Sequence, residues 1–284
     1  MTRALESKVA IVTGGANGIG AATAELFVEE GARIVIADLD QEAGNALASR
    51  LGDAARFQRV DVADKADVLA LVDLAIAEFG GLDIMFNNAG VAGSSHNRFL
   101  DDPLDDFERI VRINLAGVMY GSQIAAREMV KAGKGSIINT SSVAGIAASY
   151  GLLTYRAVKA GVINFTKSLA IDLGEYQIRV NSIAPGHIAT GMNPFQDNTL
   201  SPELQVELAR LIEKTMQINQ PLKRRGSPRA VAQTAVFLGS DRSLHVTGQV
   251  IAVDGGITAG DPINLNAMLR EAKSDFFKNA NPDK

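Results

Sequence analysis

The chain has 284 residues, 46% hydrophobic and 21% charged, with a formal net charge of −4 at pH 7 and a pI near 5.5. That balance leaves no footprint for a nucleic-acid partner, and the absence of cysteine excludes disulfides, thiol catalysis and cysteine-ligated zinc. The opening MTRALESKVA lacks a signal-peptide core and no run of ~18 uncharged apolar residues occurs, so a cytoplasmic protein with no membrane segment is expected.

In chain order the first signal is KVAIVT, a short β-branched run that reads as a buried parallel strand over 9–13. It runs into Gly14, Gly15, Ala16, Asn17, Gly18, Ile19 and Gly20, then a helical pattern over 21–30 closed by Gly31. Strand, glycine turn and helix start make a phosphate cradle, because backbone N–H groups and the helix dipole face the anion with no side chain between. The spacing is GxxxGxG, not the GxGxxG of the general dinucleotide fingerprint. The second strand, 33–38, ends at Asp38, near the place ~20 residues on where an acidic residue bonds the adenosine ribose. A carboxylate there repels a 2′-phosphate, and no arginine stands at Ala16, Asn17 or Leu39 to receive one, which favours NAD over NADP. Asp38 could also cap a helix beginning near Asp40, and the two roles are compatible.

Further strands are expected over 56–60, 82–87, 135–140, 178–184 and 249–253, with helices between them, notably 68–79, 105–131 and 154–173. Strict alternation without a Pro/Gly/Ser linker predicts an α/β fold: one doubly wound domain, a seven-stranded parallel sheet with helices on both faces. Ligands bind such sheets outside the carboxyl ends of the strands, and Gly20, Asp38, Asp61, Asn88, Ser142 and Pro185 all fall at or just past those ends.

Tyr155 and Lys159 follow Ser142 and stand one helical turn apart, on one face. A cation beside a phenol favours the phenolate, so the pair can move protons near neutral pH. A serine hydroxyl nearby can bond the substrate oxygen. This set points to hydride transfer between a nicotinamide and a carbinol or carbonyl carbon. Thr140 and Ser141 could be strand-end caps, as could Ser142; the separation from Tyr155 is what selects Ser142. Asn87 and Asn114 on their own read as buried polar residues that satisfy backbone. His96, His187 and His245 lie far apart, with no ligand spacing, and are read as neither metal ligands nor catalytic bases.

Together these residues resemble the short-chain dehydrogenase/reductase family. The resemblance rests on TGGANGIG at 13–20, Asp61 and Val62, NNAG at 87–90, Asn114, Ser142 within INTSSVAG, YRAVK at 155–159 and PGHIAT at 185–190, and covers 8–260. It implies a Rossmann-type domain over 1–260, with a C-terminal extension at 261–284. Gly14, Asn17, Gly18, Ile19, Gly20, Asp38 and Leu39 would bind the cofactor, with Asp61 and Val62 at the adenine. Asn88, Ala89 and Gly90 would line the riboses, and Pro185, Gly186, Ile188 and Thr190 would embrace the nicotinamide amide and phosphates. Ser142 would bind the substrate oxygen and Tyr155 would be the catalytic acid/base. Lys159 would bond the nicotinamide ribose and depress the Tyr155 pKa. Asn114 would anchor a water linking Lys159 to solvent. A homotetramer is the family's expectation.

The expected function is hydride transfer between NAD(H) and a secondary alcohol or ketone, cyclic or hydrophobic. An NADPH-dependent 3-oxoacyl or ketone reductase is the alternative, and Asp38 argues against it. A non-catalytic nucleotide-sensing scaffold would have lost the tyrosine, lysine or serine, and none is lost. Pocket walls are expected from 94–99, 144–153 and a lid region, 187–226, in which Leu204, Leu208, Leu211, Ile212, Thr215 and Met216 recur at helical spacing. A surface helix packed on the core is the other reading of that stretch. Lys223, Arg224 and Arg225 read as a solvated turn. In the extension, Leu265, Met268, Leu269, Ala272, Phe276 and Phe277 form an apolar stripe that should pack on the body or a neighbouring subunit, unless the segment is a frayed end.

Overall fold

The structure is a computed structural model and describes residues 3–191 and 199–280; residues 192–198 of the expected lid region lie outside the described residues. Seven parallel strands form one sheet in the order β3-β2-β1-β4-β5-β6-β7. They are β1 (Val9–Thr13), β2 (Arg33–Asp38), β3 (Ala55–Arg59), β4 (Ile84–Asn87), β5 (Gly135–Thr140), β6 (Ile178–Pro185) and β7 (Val250–Val253). The reversal of order between β1 and β4 opens a crevice at their carboxyl ends.

Strand periodicity divides the core in two. Ala10 and Val12 of β1, with Ile34 and Ile36 of β2, pack on one face. Val9, Ile11, Val35 and Ala37 pack on the other. The first face is covered by α1 (Gly18–Glu29) and α9 (Pro228–Gly239), through Ala24, Phe27, Val231 and Ala235. The second is covered by α3 (Lys65–Phe79), α5 (Gly117–Ala132) and the distal half of α7 (Leu153–Asp172), through Leu71, Val72, Ile124, Met129 and Ala170. Phe27 and Phe86 have no exposed surface, and burial of such a side chain contributes ~1.5–3 kcal/mol.

Elsewhere α2 (Gln41–Leu51) follows β2, the short α4 (Phe107–Val111) leads toward α5, and α6 (Val143–Ile146) follows β5. The remaining helices are α8 (Pro202–Met216) and α10 (Leu265–Ala280). The unbroken helix expected over 105–131 is instead interrupted by a π turn, Arg112–Ala116, a widening found frequently at functional positions. The helix expected from 68 starts at Lys65 because Asp64 Oδ1 accepts from Ala66 N at 2.8 Å.

Four polar side chains cross the second face. Asn87 Nδ2 donates to Asn139 Oδ1 at 2.9 Å and to Ser122 Oγ at 3.1 Å, and Asn139 Nδ2 donates to Thr166 Oγ1 at 3.0 Å. All four residues are buried, so β4, β5, α5 and α7 are clamped just behind the carboxyl ends of the strands. Removing one member leaves the others unpaired in a dry setting. Asn139→Ala should therefore lower unfolding free energy by about 2–4 kcal/mol in urea denaturation; a loss within experimental error would mean the network is energetically idle.

Candidate active site

β1 leads directly into the glycine turn. Gly14 (φ 61°) and Gly18 (φ 54°) adopt the left-handed region, which glycine enters without strain. A Cβ on Gly14 would stand 2.8 Å from Ala89 Cα, and one on Gly20 would collide with Gly14 O. Asn17, at the N-cap of α1, makes no side-chain cap bond, and the first turn carries no acidic residue. Its amide is turned aside, Nδ2 donating to Asp40 Oδ2 at 3.2 Å. The helix start therefore faces the cleft with its positive dipole end unneutralised.

Asp38 Oδ2 accepts from Ala16 N at 3.0 Å and Oδ1 from Asp40 N at 3.1 Å, which fixes its carboxylate at the cleft beside Leu39. The cap of α2 is Asp40, whose Oδ1 accepts from Ala43 N at 3.0 Å; Asp38 does not serve that purpose. Past β3, Asp61 Oδ1 accepts from Ala63 N at 2.9 Å, and Val62 lies against Gly117, where a Cβ would stand 3.0 Å from the Val62 carbonyl. Asn88 Nδ2 donates to Thr13 O at 3.0 Å and Gly14 O at 3.2 Å, tying the glycine turn to the end of β4. Ala89 and Gly90 continue the same wall.

The third group is built on the end of β5. Ser142 Oγ accepts from Ala144 N at 3.1 Å, and its hydroxyl stands near enough to the Tyr155 phenol to lower that group's pKa. Leu152 (φ 52°) immediately precedes α7 in the left-handed region. One turn into α7, Lys159 is buried, and its Nζ donates to Thr140 O at 2.8 Å. Nζ also lies 5.5 Å from the centroid of the Tyr155 ring. Ser141 Oγ donates to Lys159 O at 2.8 Å, and Gly145 packs so closely that a Cβ would meet Lys159 C at 2.6 Å. Gly90 has the same role on the other side: a Cβ there would stand 2.7 Å from Asn114 Oδ1 and 3.5 Å from Lys159 Nζ. Asn114, in the π turn, accepts from Val91 N at 3.2 Å and donates to Val91 O at 2.9 Å and Ile110 O at 3.1 Å.

The electrostatics differ from the sequence expectation in one respect. Burial pushes the Tyr155 phenol above its ordinary value, and the neighbouring Ser142 hydroxyl pulls it part of the way back. No lowering by Lys159 accompanies these effects; burial pushes the lysine itself down to about 8.

At the end of β6, Pro185 and Gly186 turn the chain, and a Cβ on Gly186 would approach Asp254 Cα to 2.7 Å. Ile188 is buried, and a Cβ on Gly18 would meet Thr190 Cγ2 at 3.2 Å, so this segment closes over the glycine turn. Of the set, all but Gly20 and the buried Asn114 line one cleft of about 1150 Å³, with Ile212 and Met216 of α8 and Leu152 as apolar wall. None of the residues of α8 is fully buried.

Three expectations need correction. Residues 94–99 do not line this cleft: Gly93 (φ 77°) turns the chain away, and Ser94 N is held by Asp106 Oδ2 at 2.6 Å. Arg225 is not merely part of a solvated turn, since it lines the cleft and donates from Nη2 to Ile188 O at 3.2 Å. The helix α10 does not pack on the body of its own chain, and Leu265, Met268, Leu269, Phe276 and Phe277 are all exposed. Sequence reasoning also passed over Thr140, which acts through its carbonyl and so leaves no side-chain signal, and His187, which lines the cleft. Among the described residues no group of three or more His, Cys, Asp or Glu could hold a metal, and no helix is long and apolar enough to cross a membrane.

Known proteins resemble this chain in sequence and fold. The family profile described as Enoyl-(Acyl carrier protein) reductase matches residues 14–258. Momilactone A synthase of Oryza sativa subsp. japonica is 41% identical over 259 residues, covering 90% of this chain and 92% of the relative. The 3-alpha-(or 20-beta)-hydroxysteroid dehydrogenase of Mycobacterium bovis is 39% identical over 260 residues, 92% and 93% of the two chains. The crystal structure of levodione reductase superposes with a TM-score of 0.82 at 34% identity, covering 90% of this chain and 99% of that one. The chain belongs to the short-chain dehydrogenase/reductase family, oxidoreductases that act on CH–OH groups with a nicotinamide cofactor.

Lys159 carries a stability signature. Its folded pKa is about 8 against an ordinary 10.5, so between those values the unfolded chain holds more protons and stability rises with pH. At about 1.4 kcal/mol per pH unit, the buried charge costs about 3 kcal/mol at pH 7. Lys159→Met, measured without cofactor, should be more stable than wild type at pH 7 by up to about 3 kcal/mol, the gap closing toward pH 10. A variant less stable at every pH would contradict this.

Proposed function

We propose that the protein is an NAD-dependent dehydrogenase of secondary alcohols, cyclic or hydrophobic, working as a cytoplasmic homotetramer. The observation that carries it is the juxtaposition of the Ser142 and Tyr155 hydroxyls above a buried Lys159, at the mouth of a glycine turn guarded by Asp38. The residues fit a dinucleotide: the unneutralised start of α1 suits a pyrophosphate, and the glycines leave space a Cβ would fill.

In this reading Gly14, Asn17, Gly18, Ile19 and Gly20 hold the pyrophosphate, Asp38 and Leu39 the adenosine ribose, and Asp61 and Val62 the adenine edge. Asn88, Ala89 and Gly90 line the riboses, and Pro185, Gly186, Ile188 and Thr190 surround the nicotinamide. An ammonium has three donors and Thr140 O takes one, which leaves Lys159 suited to ribose hydroxyls. When bound, the nicotinamide accepts or returns the hydride. Ser142 Oγ and Tyr155 Oη hold the substrate oxygen between them, and Tyr155 takes the hydroxyl proton as a phenolate during oxidation or gives it back as a phenol during reduction. Lys159 supplies positive charge beneath the ring, and Asn114 positions Gly90 and Val91 beside it. The helix α8 serves as a lid. Support for NAD comes from the Asp38 carboxylate, and for a cyclic alcohol from the apolar wall of Leu152, Ile212 and Met216 and from a relative named for hydroxysteroids.

Tyr155→Phe should abolish turnover of an alcohol panel followed at the nicotinamide absorbance while NAD binding stays within about twofold; near-normal turnover would rule out the phenol. Wild type should prefer NAD over NADP in kcat/KM, and Asp38→Ala combined with Leu39→Arg should shift the ratio toward NADP, since a guanidinium suits phosphate. An unmodified enzyme that used NADP better would reject the reading of Asp38.

The exposed apolar stripe of α10 supports packing against a neighbouring subunit, since each Leu or Phe buried there contributes ~1.5–3 kcal/mol. Deletion after Gly260 should reduce the mass seen by light scattering or lower the melting temperature. Unchanged mass, melting temperature and KM would make the segment a frayed end.

A further inference from the structure

The connection between α6 and α7, residues 147–152, ends on Leu152, part of the apolar wall of the cleft. Its own side chains do not anchor it: Ala147, Ala148, Ser149 and Tyr150 are exposed, Tyr150 to 92%. On its other side lies a second hollow of about 270 Å³, whose lining includes Asn97, Phe99, Tyr150 and Leu153. The segment thus stands between two open spaces. Its last two residues, Gly151 (φ 68°) and Leu152 (φ 52°), are both in the left-handed region. A leucine keeps that conformation only where its surroundings impose it, and Leu152, as the N-cap of α7, makes no side-chain cap bond.

The restraint comes from Arg156. Its Nε donates to Gly151 O at 3.0 Å, Nη1 to Ala147 O at 3.0 Å and Nη2 to Tyr150 O at 3.4 Å. Its backbone N donates to Leu152 O at 2.9 Å. One residue thus serves the carbonyls of Ala147, Tyr150, Gly151 and Leu152, at both ends of the connection. A guanidinium suits this task because its donors are spread over a rigid planar fork, whereas an ammonium gathers them at one point. Arg156 follows Tyr155 directly on α7, so the helix that carries the acid/base also holds the wall facing it.

Resting on the alcohol dehydrogenase reading, we infer that Arg156 is a positioning residue that sets substrate selectivity: it fixes Leu152 as a preformed apolar wall and so favours a bulky cyclic alcohol over a small acyclic one. It acts through Leu152 and touches neither the reacting atoms nor the nicotinamide. A wall ordered in advance spares the cost of ordering it when the substrate binds. The effect therefore falls on KM, while Tyr155 and Lys159 keep their places on α7.

The test compares cyclohexanol with 2-propanol as substrates with NAD. Arg156→Ala should lower the ratio of their kcat/KM values by about tenfold, through the KM for cyclohexanol and with kcat little changed. In a Leu152→Ala background the same change should lower the ratio by less than about twofold, because the wall it holds is gone. Millimolar guanidinium added to Arg156→Ala should restore part of the ratio. An unaltered ratio, equal losses of kcat for both alcohols, or effects that add in the double variant would overturn the assignment. A second measurement does not need turnover. In chymotrypsin digests of the full protein read by mass spectrometry, cleavage after Tyr150 should be at least about tenfold faster in Arg156→Ala than in wild type. Arg156→Gln, which keeps one amide donor group, should fall between them, and it carries both comparisons if the alanine variant does not fold. Equal cleavage in wild type and variant would refute the restraint. Absence of turnover of every alcohol by wild type would instead count against the dehydrogenase reading, and the digest alone would then decide on Arg156.

Discussion

The site depends on one buried ammonium. Lys159 sits in the interior with Thr140 O at 2.8 Å as its protein acceptor, in surroundings that lower its affinity for a proton. Holding a cation there needs a carbonyl aimed at it from the end of β5, a helix that brings Nζ to that carbonyl, and neighbours small enough to let both approach. Gly90 and Gly145 meet the last requirement, each occupying a place where a Cβ would crowd the lysine. Ser141, through its bond to Lys159 O, locks the helix to the strand. The Tyr155 ring is then fixed by helical geometry alone, one turn earlier on the same face.

The same economy governs the other half of the cleft. The glycine turn approaches β4 so closely that a side chain on Gly14 would meet the Ala89 backbone, and Asn88 fastens the two by bonding the Thr13 and Gly14 carbonyls. The buried clamp of Asn87, Ser122, Asn139 and Thr166 holds β4 and β5 in register one residue behind. Positions that bear chemistry are thus supported by polar contacts that bear none. Asp38 is oriented in the same way, by the Ala16 and Asp40 amides, so its charge stands at the cleft before any ligand arrives.

Much of this was legible in the chain. Alternating apolar strands and helices predicted the sheet, and all seven strands appear with their ends shifted by no more than two residues. The glycine turn, Asp38 and the Ser142, Tyr155 and Lys159 set were readable because each depends on residue type at a local spacing. What escaped depends on contacts remote in sequence. The π turn at Arg112–Ala116 lies in a stretch whose periodicity reads as plain helix. Thr140 contributes a carbonyl, which every residue has. The direction of the Tyr155 shift is set by burial, which overrides the local argument from the neighbouring cation.

The claim that a desolvated Lys159 organises the site is open to direct measurement by titrating ¹³C-labelled lysine side chains in the cofactor-free protein. One resonance, lost in Lys159→Met, should titrate near pH 8, well below the ordinary lysine value of 10.5. A Lys159 resonance titrating at the ordinary value would contradict the account.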